Sequence, residues 1–405
     1  MIFLILNAKI SLTYLKGDFL KHKIFNGCDL LHTLKVKNLL SEKRLGLVTN
    51  SHALTRDFET TASRVNELYN LCALFGGEHG FNTEKQAGGY DADVFIDKET
   101  GVPVYDLFGG ENSLRKAEEI FKCLDCVLFD IQDIGTRYYT YQYTLLDALY
   151  LCQKTSTELI VLDRMNPLGC NRVEGNLLEK DCISKVGRVA GQPTITGLTI
   201  GEIALWYNKH LNIGTDIKVI ACEGLQREFL FEDTDFTFIP PSPNMRNLDA
   251  LFLYAGTCLF EGTNLSEGRG TYKPFEAFGA PWLEPKKVID YLYSLSDEEK
   301  SAFKGLEFLP CTFTPTFSDY KNELCNGIQI EIKDKNHVNM FETGLQLIKA
   351  IKTLYPDKVE FSKHLVCLAG TKQILDESFN PHKYIISQKE NLEWFKNSMK
   401  PYLLY

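Results

Sequence analysis

From Arg44 onward the chain alternates short, uniformly apolar runs with stretches whose apolar positions recur at helical spacing. RLGLVTN (44–50), LCALF (71–75), CVLFD (126–130) and ELIVLD (158–163) end in polar or glycine residues, as strands buried on both faces do. Residues 60–69, 113–122 and 140–154 carry the helical period between them, and a helix over 199–211 and a strand over 216–222 continue the series. This alternation predicts an α/β fold with a mostly parallel sheet and right-handed crossovers. Polar clusters follow the strand ends at 49–50, 76–80, 130–137 and 163–166. In open α/β sheets ligands bind at that edge, so the site is expected there.

Past FIPPSPNM (238–245) the alternation fades, because prolines fit neither a helix interior nor a central strand. Three parts are expected: a lead-in segment over 1–43 packed on the first domain, an α/β domain over 44–248, and a smaller α+β domain over 249–405. The last contains a glycine-rich loop over 261–271, a helix starting near Glu284, a strand over 327–333, a helix over 338–354 and an amphipathic helix around 392–403.

The formal charge of −9 with scattered basic residues argues against a nucleic-acid partner. An apolar run over 1–6 is cut by Asn7 and Lys9, short of a secretory core, and no stretch reaches membrane-spanning length. Twelve cysteines lack the spacing of a disulfide scaffold. These features point to the cytoplasm and leave export open. Cys123 and Cys126 form a lone C-x-x-C without a second pair, so both are expected to be packing residues and no metal is expected.

Several familiar chemistries are missing: no phosphate loop, zinc helix or nucleophile elbow occurs. TNSHALTRD (49–57), after the first strand, lacks the glycine pattern that cradles a dinucleotide, so no cofactor is expected. The strand-end carboxylates become the groups of interest. FGGEHGF (75–81) sets Glu78 and His79 on a glycine-flanked turn, where a carboxyl serves as general acid if burial raises its pKa, or merely caps the next segment. DIQDIGTRYYTYQY (130–143) offers Asp130, Asp133, Arg137 and Tyr138 for a sugar or for an ion-pair network. LDRMNPLG (162–169) offers Asp163, Arg164 and Asn166, and Asn50 and Asn244 sit in neighbouring loops. CLFEGTNLSEGRGTYKPFE (258–276) packs Glu261, Asn264, Glu267 and Arg269 among glycines, more chemistry than a turn requires. Glycosidic cleavage uses two carboxyl groups flanking one bond. Glu78, with Glu261 or Glu267, supplies them across an interdomain cleft.

In series, FGGEHGF, FDIQDIGTRYYTY, LDRMNPLG, GLTIGE (197–202), PPSPNM (240–245) and GTCLFEGTNLSEGRGT (256–271) resemble the NamZ-type exo-β-N-acetylmuramidases, from about Leu45 to the C-terminus. The resemblance implies a Rossmann-like first domain, a smaller second domain and an active site in the cleft between them. It also implies release of terminal β-linked N-acetylmuramic acid from peptidoglycan fragments without a metal or nucleotide. The family's acidic turn residue falls on Glu78 and its acidic loop on Glu261 and Glu267. The chain departs from the family at Gly77 and Met165, where proline is usual, and at Asn82, where arginine is. The substrate's lactyl carboxylate suits an arginine fork; Arg137, Arg164, Arg246 and Arg269 are candidates, and Arg269 is favoured because it shares a loop with the acids. Two other classes compete: a non-catalytic muropeptide- or sugar-binding protein of the same fold, and a transferase, which the missing phosphate loop opposes.

Overall fold

A computed structural model describes residues 21–405, so the first part of the lead-in segment lies outside the described residues. Seven strands form the first sheet: β1 Arg44–Thr49, β2 Asn70–Gly76, β3 Phe95–Ile96, β4 Pro103–Asp106, β5 Cys126–Asp130, β6 Glu158–Leu162 and β7 Ile217–Ile220. Their order is β3-β4-β2-β1-β5-β6-β7. Every neighbouring pair is parallel except β3 with β4, so the sheet is mixed and mostly parallel. The chain builds outward from β1 through β2 to β4, then returns to the other side of β1 with β5. Strand ends diverge at such a reversal and leave room for a ligand.

Alternation along the strands sends side chains into two layers. Leu45, Leu47, Leu74, Leu128 and Ile160 pack on one face with Cys28, Leu31, Val36 and Leu40, so the described part of the lead-in segment covers that face. Val48, Phe75, Val127, Phe129 and Val161 pack on the other, and this apolar cluster continues without a break through Tyr254, Phe260, Phe341 and Leu365. Strands β3 and β4 escape the sequence pattern because they are only two and four residues long.

The smaller domain carries an antiparallel sheet of β8 Ala277–Ala280, β9 Leu306–Phe313 and β10 Cys325–Ile332, in the order β8-β10-β9. The helix Leu248–Thr257 is capped by Asn247, whose side chain accepts from the Ala250 N–H at 2.7 Å. It crosses the helix Met340–Leu354 at two glycines. A Cβ on Gly256 would meet the Met340 carbonyl at 2.3 Å, and one on Gly344 would meet the Gly256 carbonyl at 2.5 Å. Any larger residue would force the helix axes apart.

At the chain end, the Tyr405 hydroxyl donates to Asp163 Oδ2 at 2.6 Å and accepts the Cys222 N–H at 2.8 Å, fastening the C-terminus beside β6. All twelve cysteines are free. Cys126 packs in the core as expected, but Cys123 does not: it is exposed, because it follows the helix Glu111–Phe121 on the solvent side. No helix among the described residues is long and apolar enough to cross a membrane.

Candidate active site

Strand β2 ends at Gly76, and the chain turns at once, the Gly80 N–H donating to the Gly77 carbonyl at 3.2 Å. His79 sits within this turn at φ 71°, a conformation that non-glycine residues hold only when the surroundings enforce it. The enforcement is visible. His79 N–H donates to the Gly89 carbonyl at 2.8 Å, and Nδ1 lies 2.8 Å from the Lys85 carbonyl. A carbonyl only accepts, so Nδ1 carries a proton and Nε2 is the ring's remaining nitrogen. Glu78 Oε1 accepts the Gly88 N–H at 2.6 Å, and Oε2 is hydrogen-bonded to the Thr140 hydroxyl at the start of the helix Tyr141–Thr155. A Cβ on Gly77 would lie 2.8 Å from Thr144 Oγ1, so a larger residue there would require Thr144 to give way.

The opposing acids come from the other domain. The helix Leu248–Thr257 runs into the 3-10 turn Cys258–Gly262, which carries Glu261. A Cβ on Gly262 would strike Leu365 Cα at 2.3 Å. Glycine therefore lets this turn lie directly on the helix Lys363–Ala369, which places His364 Nε2 3.9 Å from Glu261 Oε2. Arg269 bridges the two glutamates of the loop, with Nη2 3.0 Å from Glu261 Oε1 and Nη1 2.8 Å from Glu267 Oε1. Its guanidinium stacks 4.8 Å from the centre of the Phe275 ring, and Phe275 is itself held at φ 63°. Burial pushes the Glu267 carboxyl up, against the lowering influence of Arg269. Burial would depress Arg269, but the two carboxylates more than offset it and keep the guanidinium charged.

Glu78 and Glu261 line a common cavity of about 590 Å³ whose walls include Ala87, Thr140, Val186 and His364. A narrow extension of about 70 Å³ shares both glutamates and is lined also by His79, Tyr138, Asn244 and Arg269. Of the residues singled out in the sequence, these six come together: Glu78, His79, Tyr138, Asn244, Glu261 and Arg269. Glu267 does not reach the cavity; at 2% exposure it lies behind Arg269. Thr140, Val186, Lys185 and His364 also line the space, and none was marked by sequence. Thr140 was within reach as the polar residue opening a helix after the DIQDIGTRYY motif, whereas the others occupy stretches without a motif.

The remaining candidates serve the fold. Arg164 is forked onto Asp130, with Nη2 2.8 Å from Oδ2, and both are buried. Asp133 accepts the Gly135 N–H at 2.7 Å, and burial pushes its pKa up to about 7. Arg137 is wholly enclosed and bonds to the carbonyls of Asn176, Gln192 and Leu368 at 2.9, 3.1 and 3.1 Å, so it cannot reach a sugar. Asp163 accepts from Gly201 N–H and the Thr199 hydroxyl, both at 2.7 Å, at the start of the helix Ile200–His210. Asn166 holds the Leu198 carbonyl, Asn264 ties to Lys358 and Glu360, and Asn50 closes a turn onto the His52 N–H. Arg246 is exposed and lines none of the cavities described. A separate cavity of about 280 Å³ near Arg56, Arg164 and Phe236 has a single acid in its wall, Asp235, and Arg56 engages it at 2.6 Å. It therefore lacks the paired acids of the first.

An α/β domain whose strand-end glutamate shares a cavity with a glutamate of a following, smaller domain has the paired acids found in most glycoside hydrolases. The chain belongs to the NamZ exo-β-N-acetylmuramidase family: residues 45–249 match the family model described as "Exo-beta-N-acetylmuramidase NamZ, N-terminal", and residues 252–405 match "Exo-beta-N-acetylmuramidase NamZ, C-terminal". It is similar to the "Peptidoglycan beta-N-acetylmuramidase NamZ" of Bacillus subtilis (strain 168), with 38% identity over 392 residues covering 95% of this chain and 92% of that one. Among solved structures it is similar to two DUF1343 family proteins from Bacteroides fragilis NCTC 9343. One superimposes with a TM-score of 0.82 at 29% identity, covering 95% of this chain and 100% of the other. The second gives 0.73 at 28%, covering 95% and 99%.

Proposed function

We propose that this protein is an exo-acting glycosidase that releases terminal β-linked N-acetylmuramic acid from peptidoglycan fragments, using Glu78 as general acid and Glu261 as the opposing carboxylate. The observation that carries this reading is the cavity shared by Glu78 and Glu261, which two distant segments of the chain build together. The name of the Bacillus subtilis relative supports the substrate.

In this mechanism the Gly88 N–H donates to one Glu78 oxygen and the Thr140 hydroxyl to the other, which fixes the orientation of the carboxyl, and Glu78 delivers the proton to the leaving oxygen of the glycosidic bond. Glu261 faces the anomeric carbon, where positive charge develops in the oxocarbenium-like transition state. Arg269 and His364 fix the orientation of its carboxylate. Glu267 is a positioning residue, anchoring Arg269 from behind. The first domain reads as Rossmann-like, which its strand order supports, with the boundary at 248/249 and the substrate lying in the cleft between the domains. Lacking a glycine fingerprint after β1, that cleft suits a saccharide rather than a dinucleotide.

The test compares wild type with Glu78→Gln on a natural disaccharide ending in N-acetylmuramic acid and on an aryl β-N-acetylmuramide. Losing the proton donor lowers the rate on the disaccharide by roughly two to four orders of magnitude, and by less on the activated aryl glycoside. Equal rates on the disaccharide remove Glu78 from catalysis. No release by wild type from either substrate removes the activity itself.

A further inference from the structure

The acidic wall of the cavity raises a problem that the proposed substrate makes acute. Glu78 and Glu261 line it, and the one guanidinium beside them, Arg269, is already engaged by Glu261 and by the buried Glu267 behind it. A sugar with its own carboxylate is repelled there unless a further cation meets it. The four arginines that the sequence offers do not fill this role: Arg137 is enclosed among carbonyls, Arg164 is forked onto Asp130, Arg246 lines none of the cavities, and Arg269 is neutralised by its neighbours.

We propose that Lys185 receives the lactyl carboxylate of the terminal muramic acid and sets the specificity for it. Lys185 lines the larger cavity together with Glu78 and Glu261, and it forms no ion pair among the described residues. Its position is built. Ser184 and Gly187 exchange backbone hydrogen bonds at 2.8 and 3.2 Å, making a two-residue turn with Lys185 and Val186 at its tip. The next residue, Arg188, is forked onto Asp147 with both contacts at 2.7 Å. Asp147 lies on the helix Tyr141–Thr155, whose preceding residue Thr140 holds Glu78. One helix thus registers the lysine turn against the proton donor. The other ionisable base in the wall, His364, is turned to Glu261 at 3.9 Å.

This assignment rests on the glycosidase reading, and the experiment separates the two. Calorimetry measures binding of free N-acetylmuramic acid and of its methyl ester to wild type, Lys185→Met and Lys185→Arg; turnover of 4-nitrophenyl β-N-acetylmuramide is followed in parallel. A charge-assisted contact implies that wild type prefers the acid to the ester by about tenfold or more. Lys185→Met brings that ratio near one and raises KM by a similar factor with little change in kcat, while Lys185→Arg keeps most of the preference. An unchanged ratio in Lys185→Met, or no preference in wild type, overturns the assignment. A preference that disappears in Lys185→Met, with no turnover by wild type, leaves Lys185 in place and overturns the glycosidase reading instead.

Discussion

Replacing Arg269 by methionine isolates what holds the acidic wall together. The side chain keeps its length and much of its bulk over Phe275, but the charge that lies 2.8 Å from Glu267 and 3.0 Å from Glu261 is gone. Glu267 is 2% exposed, so water cannot replace the guanidinium. Removing one partner from a buried pair destabilises by about 3–5 kcal/mol when the other stays ionised. Glu267 need not stay ionised. Burial already pushes its carboxyl upward, and Arg269 is the main group opposing that shift. In the variant its folded-state pKa rises further above the unfolded value near 4.3. A group raised in this way contributes stability that is fully present below the unfolded value and is lost as pH rises through the folded value. The expected loss relative to wild type is therefore small near pH 5, about 1–2 kcal/mol, and about 3–5 kcal/mol at pH 8. Urea unfolding of both proteins at the two pH values measures it. Adding Glu267→Gln to the variant removes the second charge and restores much of the stability at pH 8. An equal loss at pH 5 and pH 8, with no recovery in the double variant, would refute the account of Arg269 as the clamp between the two acids.

Two further expectations concern groups that serve the fold. Asp133 titrates in the folded protein near 7, above the ordinary aspartate value near 4, because it is buried; stability therefore falls as pH rises from about 4 to 7, by roughly 4 kcal/mol at 1.4 kcal/mol per pH unit. Asp133→Asn keeps an acceptor for the Gly135 N–H and flattens most of that decline in urea midpoints measured from pH 4 to 8; Asp163, pushed up to about 6 by burial, leaves a smaller one. Tyr405→Phe removes the donor to Asp163 and the acceptor for the Cys222 N–H, destabilising by about 1–3 kcal/mol; an unchanged guanidinium midpoint would show that the chain end is not fastened there.

The parts of this molecule that the sequence discloses are those whose physics is local. Strand β5 is buried at every position and β6 nearly so, and an uninterrupted apolar run has few other uses. Strand β9 is hidden because its exposed positions mix Glu307 and Thr312 with Leu309 and Pro310, which breaks the alternation that marks a half-buried strand. Glu78 is legible because a glycine-flanked acid directly after a buried strand is a local signature. Choosing between Glu261 and Glu267 is not local: six residues apart on a glycine-rich loop, they differ only in which of them the rest of the chain covers. The motif holding Asp130, Asp133 and Arg137 disperses for the same reason. Asp130 pairs with Arg164, Asp133 turns back on Gly135, and Arg137 reaches the Leu368 carbonyl in the other domain.

The choice of cation shows most clearly where sequence proximity misleads. Arg269 attracts attention because it shares a loop with two glutamates, and that is why its charge is already spoken for: neighbours on a short loop find one another before a substrate arrives. Lys185 attracts no attention because nothing acidic lies beside it in sequence, with Ile183, Ser184, Val186 and Gly187 around it. A cation meant for a ligand has to be left unpaired by its own protein, and the simplest way is to place it on a turn with no local acid and let the fold carry that turn to the cavity. For a binding charge, the informative feature of the sequence is therefore the absence of local compensation, and only the tertiary structure shows which of the uncompensated charges face the site.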